Sequence, residues 1–285
     1  MDEQVGKSGA ATGAGPHSLT SAPMNTSESL VIDSSRLRVV LVGTQHPGNI
    51  GAAARSMKTM GLARLVLVAP EHYPAEEAFR RAAGADDVLA VAEVVDTLAE
   101  AVADCHFVLG CTARSRRVAL DELSPREAGE RAVAMAAKGE VALVFGRERT
   151  GLSNEELQLC HVAVHIPANP AYSSLNLAAA VQVLAYEVRL ALLAGASSVP
   201  PAAAGDAGEE MASHAQLEGF FAQLGDALDD VDFHKGRAPE SAMRKLRRLF
   251  LRSQPSEQEV RLLRGILADV QRTARLLRER DQAAE

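Results

Sequence analysis

Tryptophan is absent, and aromatic residues make up only 4% of the 285-residue chain. Any core must therefore be aliphatic, built from Leu, Val, Ile and Ala. Hydrophobic residues reach 47%, enough for a sizeable core and too many for a largely disordered chain. No consecutive apolar run reaches the roughly 18 residues of a membrane span, and no basic N-terminal region leads into an apolar stretch as in a secretory signal. Cysteine is scarce. Cys105, Cys111 and Cys160 fit neither a CxxC metal site nor a disulfide framework, and read as core or strand-edge thiols of a reducing cytoplasm. The glycine-rich dinucleotide fingerprint GxGxxG is missing after the first apolar run, which argues against a nucleotide-dependent dehydrogenase. Net charge is −7, which speaks weakly against a nucleic-acid partner. That average hides seven basic residues against one acid, Glu240, between Lys235 and Arg252. A local patch of this kind binds phosphates whatever the total charge.

The length allows one or two domains. Residues 1–34 are rich in Gly, Ala, Ser, Thr and Pro without apolar period, and read as a disordered tail. Short β-rich runs follow at 39–42, 65–68, 107–109, 141–145 and 162–166. Each is continuously apolar, as strands covered on both faces are. Helical stretches lie between them near 50–60, 75–83, 97–103, 125–137 and 154–160. The alternation predicts an α/β domain over 35–195, with a mostly parallel sheet and helices on both faces. Asn49 is the expected cap of the first helix and Gly61 its stop. Ser124 to Glu127 and Ser153 to Glu156 read as capping boxes. Ser173 or Ser174 is expected to start a long helix ending before Gly195. Residues 196–213 read as a linker. Over 214–285 three groups of apolar residues at helical spacing predict a small all-helical domain, with Met243, Leu246, Leu249 and Phe250 facing inward on its second helix and Ser256 with Glu259 capping the last.

Three segments follow predicted strands, on the edge where open α/β sheets place ligands. The first runs Gly43-Thr44-Gln45-His46-Pro47-Gly48-Asn49-Ile50-Gly51-Ala52-Ala53-Ala54-Arg55. It reads either as a turn into a phosphate-holding helix N-terminus or as a loop cramped by packing. The second, Phe145-Gly146-Arg147-Glu148-Arg149-Thr150-Gly151-Leu152, ends a buried strand in glycine and charge. The glycine permits close backbone approach; solvated turn charges are the plainer reading of its ionic residues. The third, Ile166-Pro167-Ala168-Asn169-Pro170-Ala171-Tyr172-Ser173-Ser174-Leu175-Asn176, is stiffened by two prolines and is polar enough to ring a small ligand with backbone groups. His46, beside proline in a turn, reads as structural. His161 and His165 flank a strand, and no partner set suggests a metal.

Taken together and in this order, the three segments resemble the motifs of the SPOUT RNA methyltransferases. More closely, 36–195 resembles the TrmJ-type tRNA 2′-O-methyltransferases, and 214–270 resembles them loosely. The resemblance implies a homodimer whose catalytic domain ends in a deep C-terminal trefoil knot. It implies S-adenosylmethionine as methyl donor and nucleotide 32 of the tRNA anticodon loop, cytidine and/or uridine, as target. The same fold acting on another tRNA position or on ribosomal RNA is the alternative, and a non-catalytic RNA-binding protein is a third. Cofactor contacts are implied at Thr112, Ala113, Arg114, Gly146, Ile166, Ser173, Ser174, Leu175 and Asn176, mostly through backbone. Arg55 matches the arginine assigned to catalysis and Asn49 its partner; Glu148 and Asn176 match the polar positions of the second and third motifs.

A ribose hydroxyl is a weak nucleophile that needs alignment and loss of its proton. Guanidinium holds its own proton too tightly for an easy base. The expected role of Arg55 is therefore to hold the target phosphate and polarise the hydroxyl, with the proton passing to a phosphate oxygen or water. Arg114, Arg116 and Arg117 crowd one loop and are expected to hold tRNA phosphate. Arg244, Lys245, Arg247, Arg248 and Arg252 are expected to form an RNA-gripping helix face. On this reading, deleting residues after 213 weakens tRNA binding and leaves cofactor binding intact.

Overall fold

The computed structural model describes residues 34–113, 120–197, 210–235 and 238–282. The expected tail therefore lies outside the described residues up to Ser34, as do Arg114, Arg116, Arg117 and Arg237. Seven strands form one sheet: β1 (Leu37–Val42), β2 (Arg64–Val68), β3 (Glu93–Val95), β4 (Phe107–Cys111), β5 (Asp121–Leu123), β6 (Val141–Phe145) and β7 (Val162–Val164), in the order β3-β2-β1-β6-β4-β7-β5. Every strand pairing among the described residues is parallel. All seven carboxyl ends thus emerge on one rim. The sequence reading missed β3 and β5. Both are three-residue edge strands that carry acids and have two exposed residues and one partly buried residue each, so neither offers an apolar run.

The helices of this domain are α1 (Pro47–Thr59), α2 (Glu76–Ala82), α3 (Asp86–Ala90), α4 (Leu98–Ala101), α5 (Pro125–Ala136), α6 (Asn154–Gln158) and α7 (Leu177–Ser197). Alternation along β1 divides them between the two faces. Leu37, Val39 and Leu41 join the cluster under α1, α2, α3, α5 and α7. Val40 and Val42 join the one that contains Leu98, Ala101, Leu157 and Cys160 of the α4 and α6 side. Glycines bring helices together. A Cβ on Gly51 would stand 1.9 Å from the Ala78 carbonyl oxygen, and one on Gly129 would stand 2.7 Å from the Glu187 carbonyl carbon, so α1–α2 and α5–α7 meet backbone to backbone. α7 is long and apolar enough to cross a membrane by length and composition, with a mean hydropathy of 1.6 over 19 residues. It packs instead as a core helix, with Val181, Leu184, Ala185 and Val188 buried against α1 and α5.

The amino-edge rim is closed by charge. Arg38, buried on β1, pairs with Asp104 at 2.5 Å and Glu140 at 2.9 Å, and Arg64 also pairs with Glu140. Burial works against the Arg38 charge, yet the carboxylates raise its pKa above the ordinary value.

Three further helices, α8 (His214–Asp230), α9 (Pro239–Ser253) and α10 (Glu257–Gln282), form a second core around Leu217, Phe220, Phe221, Leu224, Leu251 and Val260. The expected linker is shorter at both ends: α7 continues to Ser197, and Ala212 is already buried in this second core. Met211 bridges to Ser256, and the Ala212 amide donates to the Pro255 carbonyl. Leu249, expected to face inward, is 50% exposed, while Met243, Leu246 and Phe250 pack inward.

Candidate active site

The loops after β4, β6 and β7 meet above the carboxyl rim and enclose a cavity of about 820 Å³. Thr112 and Ala113 enter it from β4, Gly146 from β6, and Ile166, Ser173, Ser174 and Leu175 from the segment after β7. Seven of the sequence-named cofactor residues thus share one wall. Arg114 lies outside the described residues, and Asn176 stands beside the cavity rather than in its lining. The lining is mixed: Phe145, Ile166, Leu175 and Leu177 are apolar, while the polar remainder includes Arg149, Thr150, Asn154 and Glu155, none of which the sequence reading had named for the cofactor.

The second loop is tightly folded. Gly151 adopts φ +67°, and its amide donates to the Arg147 carbonyl at 2.8 Å. A Cβ on Gly146 would stand 2.1 Å from the Gly151 carbonyl carbon, so only glycine permits this approach. Arg147 pairs with Glu156 at 2.9 Å and lies against Gly43, where a Cβ would come within 2.7 Å of its Nε. Gly43 itself has φ +57°.

Glu148 turns toward the first loop. Its carboxylate accepts from the Gln45 amide at 3.1 Å, the His46 amide at 3.2 Å and Asn49 Nδ2 at 3.0 Å. Asn49 Oδ1 in turn accepts from Asn176 Nδ2 at 3.0 Å. One hydrogen-bonded line therefore joins the three motifs through residues 99 and 127 positions apart. Burial opposes the Glu148 charge, but the donors of Asn49, Gln45 and His46 outweigh it and hold the carboxyl below its ordinary pKa. Glu148 is thus a fixed anion held by three donors, set at the N-terminus of α1, where negative charge is favoured.

Two caps differ from expectation. His46 is the N-cap of α1, with Pro47 in its first turn and no side-chain cap bond. Asn49 lies inside the helix and spends its side chain on Glu148 and Asn176. Asn176, not Ser173 or Ser174, heads α7: its Oδ1 accepts from the Ala178 amide at 2.9 Å. The boxes at Ser124, Ser153 and Ser256 stand as expected.

Arg55 lies exposed on α1, outside the cavity lining, and its guanidinium makes no hydrogen bond or ion pair among the described residues. In the basic helix, Arg244 and Lys245 are exposed and make no ion pair among the described residues. Arg248 reaches Asp121 at 3.4 Å. Arg247 departs from the expected RNA-facing role: its side chain is only 16% exposed, paired with Glu218 and stacked 4.6 Å from the Phe221 ring centre. Its partners sit on other elements, which helical spacing does not reveal. His161 is buried with Nδ1 accepting from the Val108 amide at 3.1 Å, and burial pushes its pKa down to about 3. Among the described residues no group of His, Cys, Asp and Glu is arranged to hold a metal ion.

The all-parallel sheet and the loop cluster on its carboxyl rim define the class. The SpoU rRNA Methylase family model matches residues 36–186. The model for the C-terminal domain of the tRNA methyltransferase TrmJ matches residues 215–279. The chain is 50% identical over 245 residues to the tRNA (cytidine/uridine/adenosine-2′-O-)-methyltransferase TrmJ of Pseudomonas aeruginosa, covering 84% of this chain and 95% of that protein. It is 52% identical over 239 residues to the tRNA (cytidine/uridine-2′-O-)-methyltransferase TrmJ of Salmonella choleraesuis, covering 82% and 96%. The crystal structure of TrmJ from Z. mobilis superposes with a TM-score of 0.69 at 35% identity, covering 82% of this chain and 98% of that one. The chain belongs to the TrmJ group of the SpoU methylase family.

Proposed function

We propose that this protein methylates the ribose 2′-hydroxyl of nucleotide 32, cytidine and/or uridine, in the tRNA anticodon loop, with S-adenosylmethionine as donor. The observation that carries this reading is the cavity on the carboxyl rim, walled by the second and third motifs and the loop after β4, and tied to the first motif by the Glu148–Asn49–Asn176 line. The names of the TrmJ relatives and the C-terminal family match favour tRNA over ribosomal RNA as substrate.

The cavity suits the donor chemically. Thr112, Ala113, Gly146, Ser173 and Ser174 offer small side chains and accessible backbone, and Phe145, Ile166 and Leu175 offer apolar surface for a purine. When bound, S-adenosylmethionine supplies a methyl group on a sulfonium leaving group. Arg55, with no partner of its own among the described residues, holds the target phosphate and polarises the hydroxyl. The proton leaves to a phosphate oxygen or water, because Glu148 is already committed to three donors. Arg244 and Lys245, with Arg248 and Arg252 beside them, supply a phosphate-gripping face; Arg114, Arg116 and Arg117, outside the described residues, are assigned the tRNA phosphate beside the cofactor.

The functional unit on this reading is a cytoplasmic homodimer. The exposed apolar residues of α7, Tyr186 at 48% and Leu193 at 38%, support a covered face there. The insertion of β7 between β4 and β5 supports a knotted chain end of the SPOUT type. The reaction uses no metal and no membrane. The test is methylation of tRNA lacking this modification with labelled donor, read nucleotide by nucleotide by mass spectrometry. Label on the ribose of nucleotide 32 is expected; label elsewhere, or none, overturns the assignment.

A further inference from the structure

The helical domain touches the catalytic domain at a point that leads directly into the cavity wall. α6 is a single turn of five residues. A turn so short has little stability of its own. Its N-terminal end, with Ser153, Asn154, Glu155 and Glu156, lines the cavity. That end is fixed by the Ser153 capping box and by the Arg147–Glu156 pair. At the other end the final carbonyls lack partners within the helix, as in any helix. Here both partners come from the helical domain: Arg247 Nε donates to the Gln158 carbonyl at 3.1 Å, and His214 Nε2 meets the Leu159 carbonyl at 3.1 Å.

Both donors are themselves locked. His214 is 1% exposed, its amide donates to the Cys105 carbonyl at 2.8 Å, and the next amide donates to the Ala103 carbonyl at 2.9 Å. Arg247 is held by Glu218 and the Phe221 ring. A carbonyl only accepts, so the His214 contact requires the proton on Nε2. Burial lowers the pKa of this imidazole and keeps it neutral, despite the opposing pull of Glu218. From α6 the line of contact continues through Glu156 to Arg147, which lies on Gly43 of the first loop.

We propose that His214 and Arg247 are positioning residues for the cofactor cavity: through α6, the helical domain sets the wall formed by residues 153–156. The inference rests on the reading of this cavity as the S-adenosylmethionine site. It reverses one expectation drawn from sequence. Removing the helical domain takes away the two donors of α6, so cofactor affinity falls together with tRNA affinity.

The test uses the full-length protein, with S-adenosylmethionine titrated by calorimetry and amide hydrogen exchange followed in the cofactor-free protein. His214→Leu removes the donor and keeps a buried side chain. It is expected to bind the cofactor about three- to tenfold more weakly, the value of one hydrogen bond, and to exchange faster across residues 153–160. His214→Gln places an amide donor near the same carbonyl and is expected to restore both readings. Arg275→Gln, at an exposed site on α10, changes neither. Wild-type affinity and exchange in His214→Leu overturn the proposal, and so does a His214→Gln protein no better than His214→Leu, since packing alone then explains the loss. Should His214→Leu fail to fold, Arg247→Met keeps the stem against Phe221 while removing the donor to Gln158. Wild-type affinity and exchange in that variant overturn the proposal equally. A wild-type protein that takes up no cofactor refutes the function reading instead, and the exchange comparison still decides the role of α6.

Discussion

Replacing Glu148 with glutamine keeps the size of the side chain and removes its charge. The wild-type carboxylate receives the Gln45 and His46 amides and Asn49 Nδ2. In the less costly orientation the new amide group turns away from His46 and Asn49, and Gln45 is left with the longer contact to the remaining oxygen. Hydrogen bonds to a charged group contribute about 1.5–3 kcal/mol and neutral ones about 0.5–1.5 kcal/mol, so the substitution costs about 1–2 kcal/mol in a site that is only half-buried. At about 2–4 °C per kcal/mol for a domain of 150–250 residues, Tm falls by about 2–8 °C at neutral pH. The pH dependence follows from the lowered pKa. The stabilisation is complete above the unfolded carboxyl pKa of about 4.3 and is lost as pH falls through the depressed folded value. The melting gap between the two proteins should therefore be constant near neutrality and close in acid. Differential scanning calorimetry of both proteins across this range measures it. A variant melting within about 1 °C of wild type at neutral pH, or a gap that persists in strong acid, refutes the assignment of Glu148 as a clamped anion.

Other outcomes follow from single features. Gly51→Ala drives a methyl into the Ala78 carbonyl and must part α1 from α2; urea unfolding should show a loss of about 1–3 kcal/mol. Arg55→Lys should leave thermal unfolding and donor binding unchanged, since the guanidinium has no partner among the described residues, and should lower turnover at least tenfold by losing the forked geometry; near-normal turnover shows the fork to be unnecessary. Burial pushes the Cys105 and Cys160 thiols up to about 12, and both are fully buried, so a thiol-reactive chromophore at neutral pH should label these two only as fast as the protein unfolds.

The sheet was legible because Val39–Val42, Leu65–Val68, Phe107–Leu109 and Val141–Phe145 are buried on both faces and so appear as unbroken apolar runs. The edge strands Glu93–Val95 and Asp121–Leu123 were not legible, because pairing with one neighbour demands no apolar signature. The three loops of the site could be read from glycine, proline and charge at strand ends. Their mutual bonds could not. Nothing local to Asn49 reveals that its side chain serves Glu148 and Asn176 rather than its own helix terminus. Helical periodicity likewise placed Met243, Leu246 and Phe250 on the inner face of α9 but misplaced Leu249, and it did not show that Arg247 donates to the Gln158 carbonyl of the neighbouring domain.

The position of β6 in the sheet bears on how the chain is made. β1 pairs with β6 across a separation of about a hundred residues, and β6 is also the strand that joins β1 to β4. During synthesis β1 to β3 and β4 emerge as two fragments whose facing edges stay unpaired until residue 145 is out of the ribosome. Such late closure makes for slow folding and a window of exposed strand edges. Chains halted shortly before β6 should accordingly aggregate most, and the last open edges, those of β4 and β5, close only once β7 has emerged.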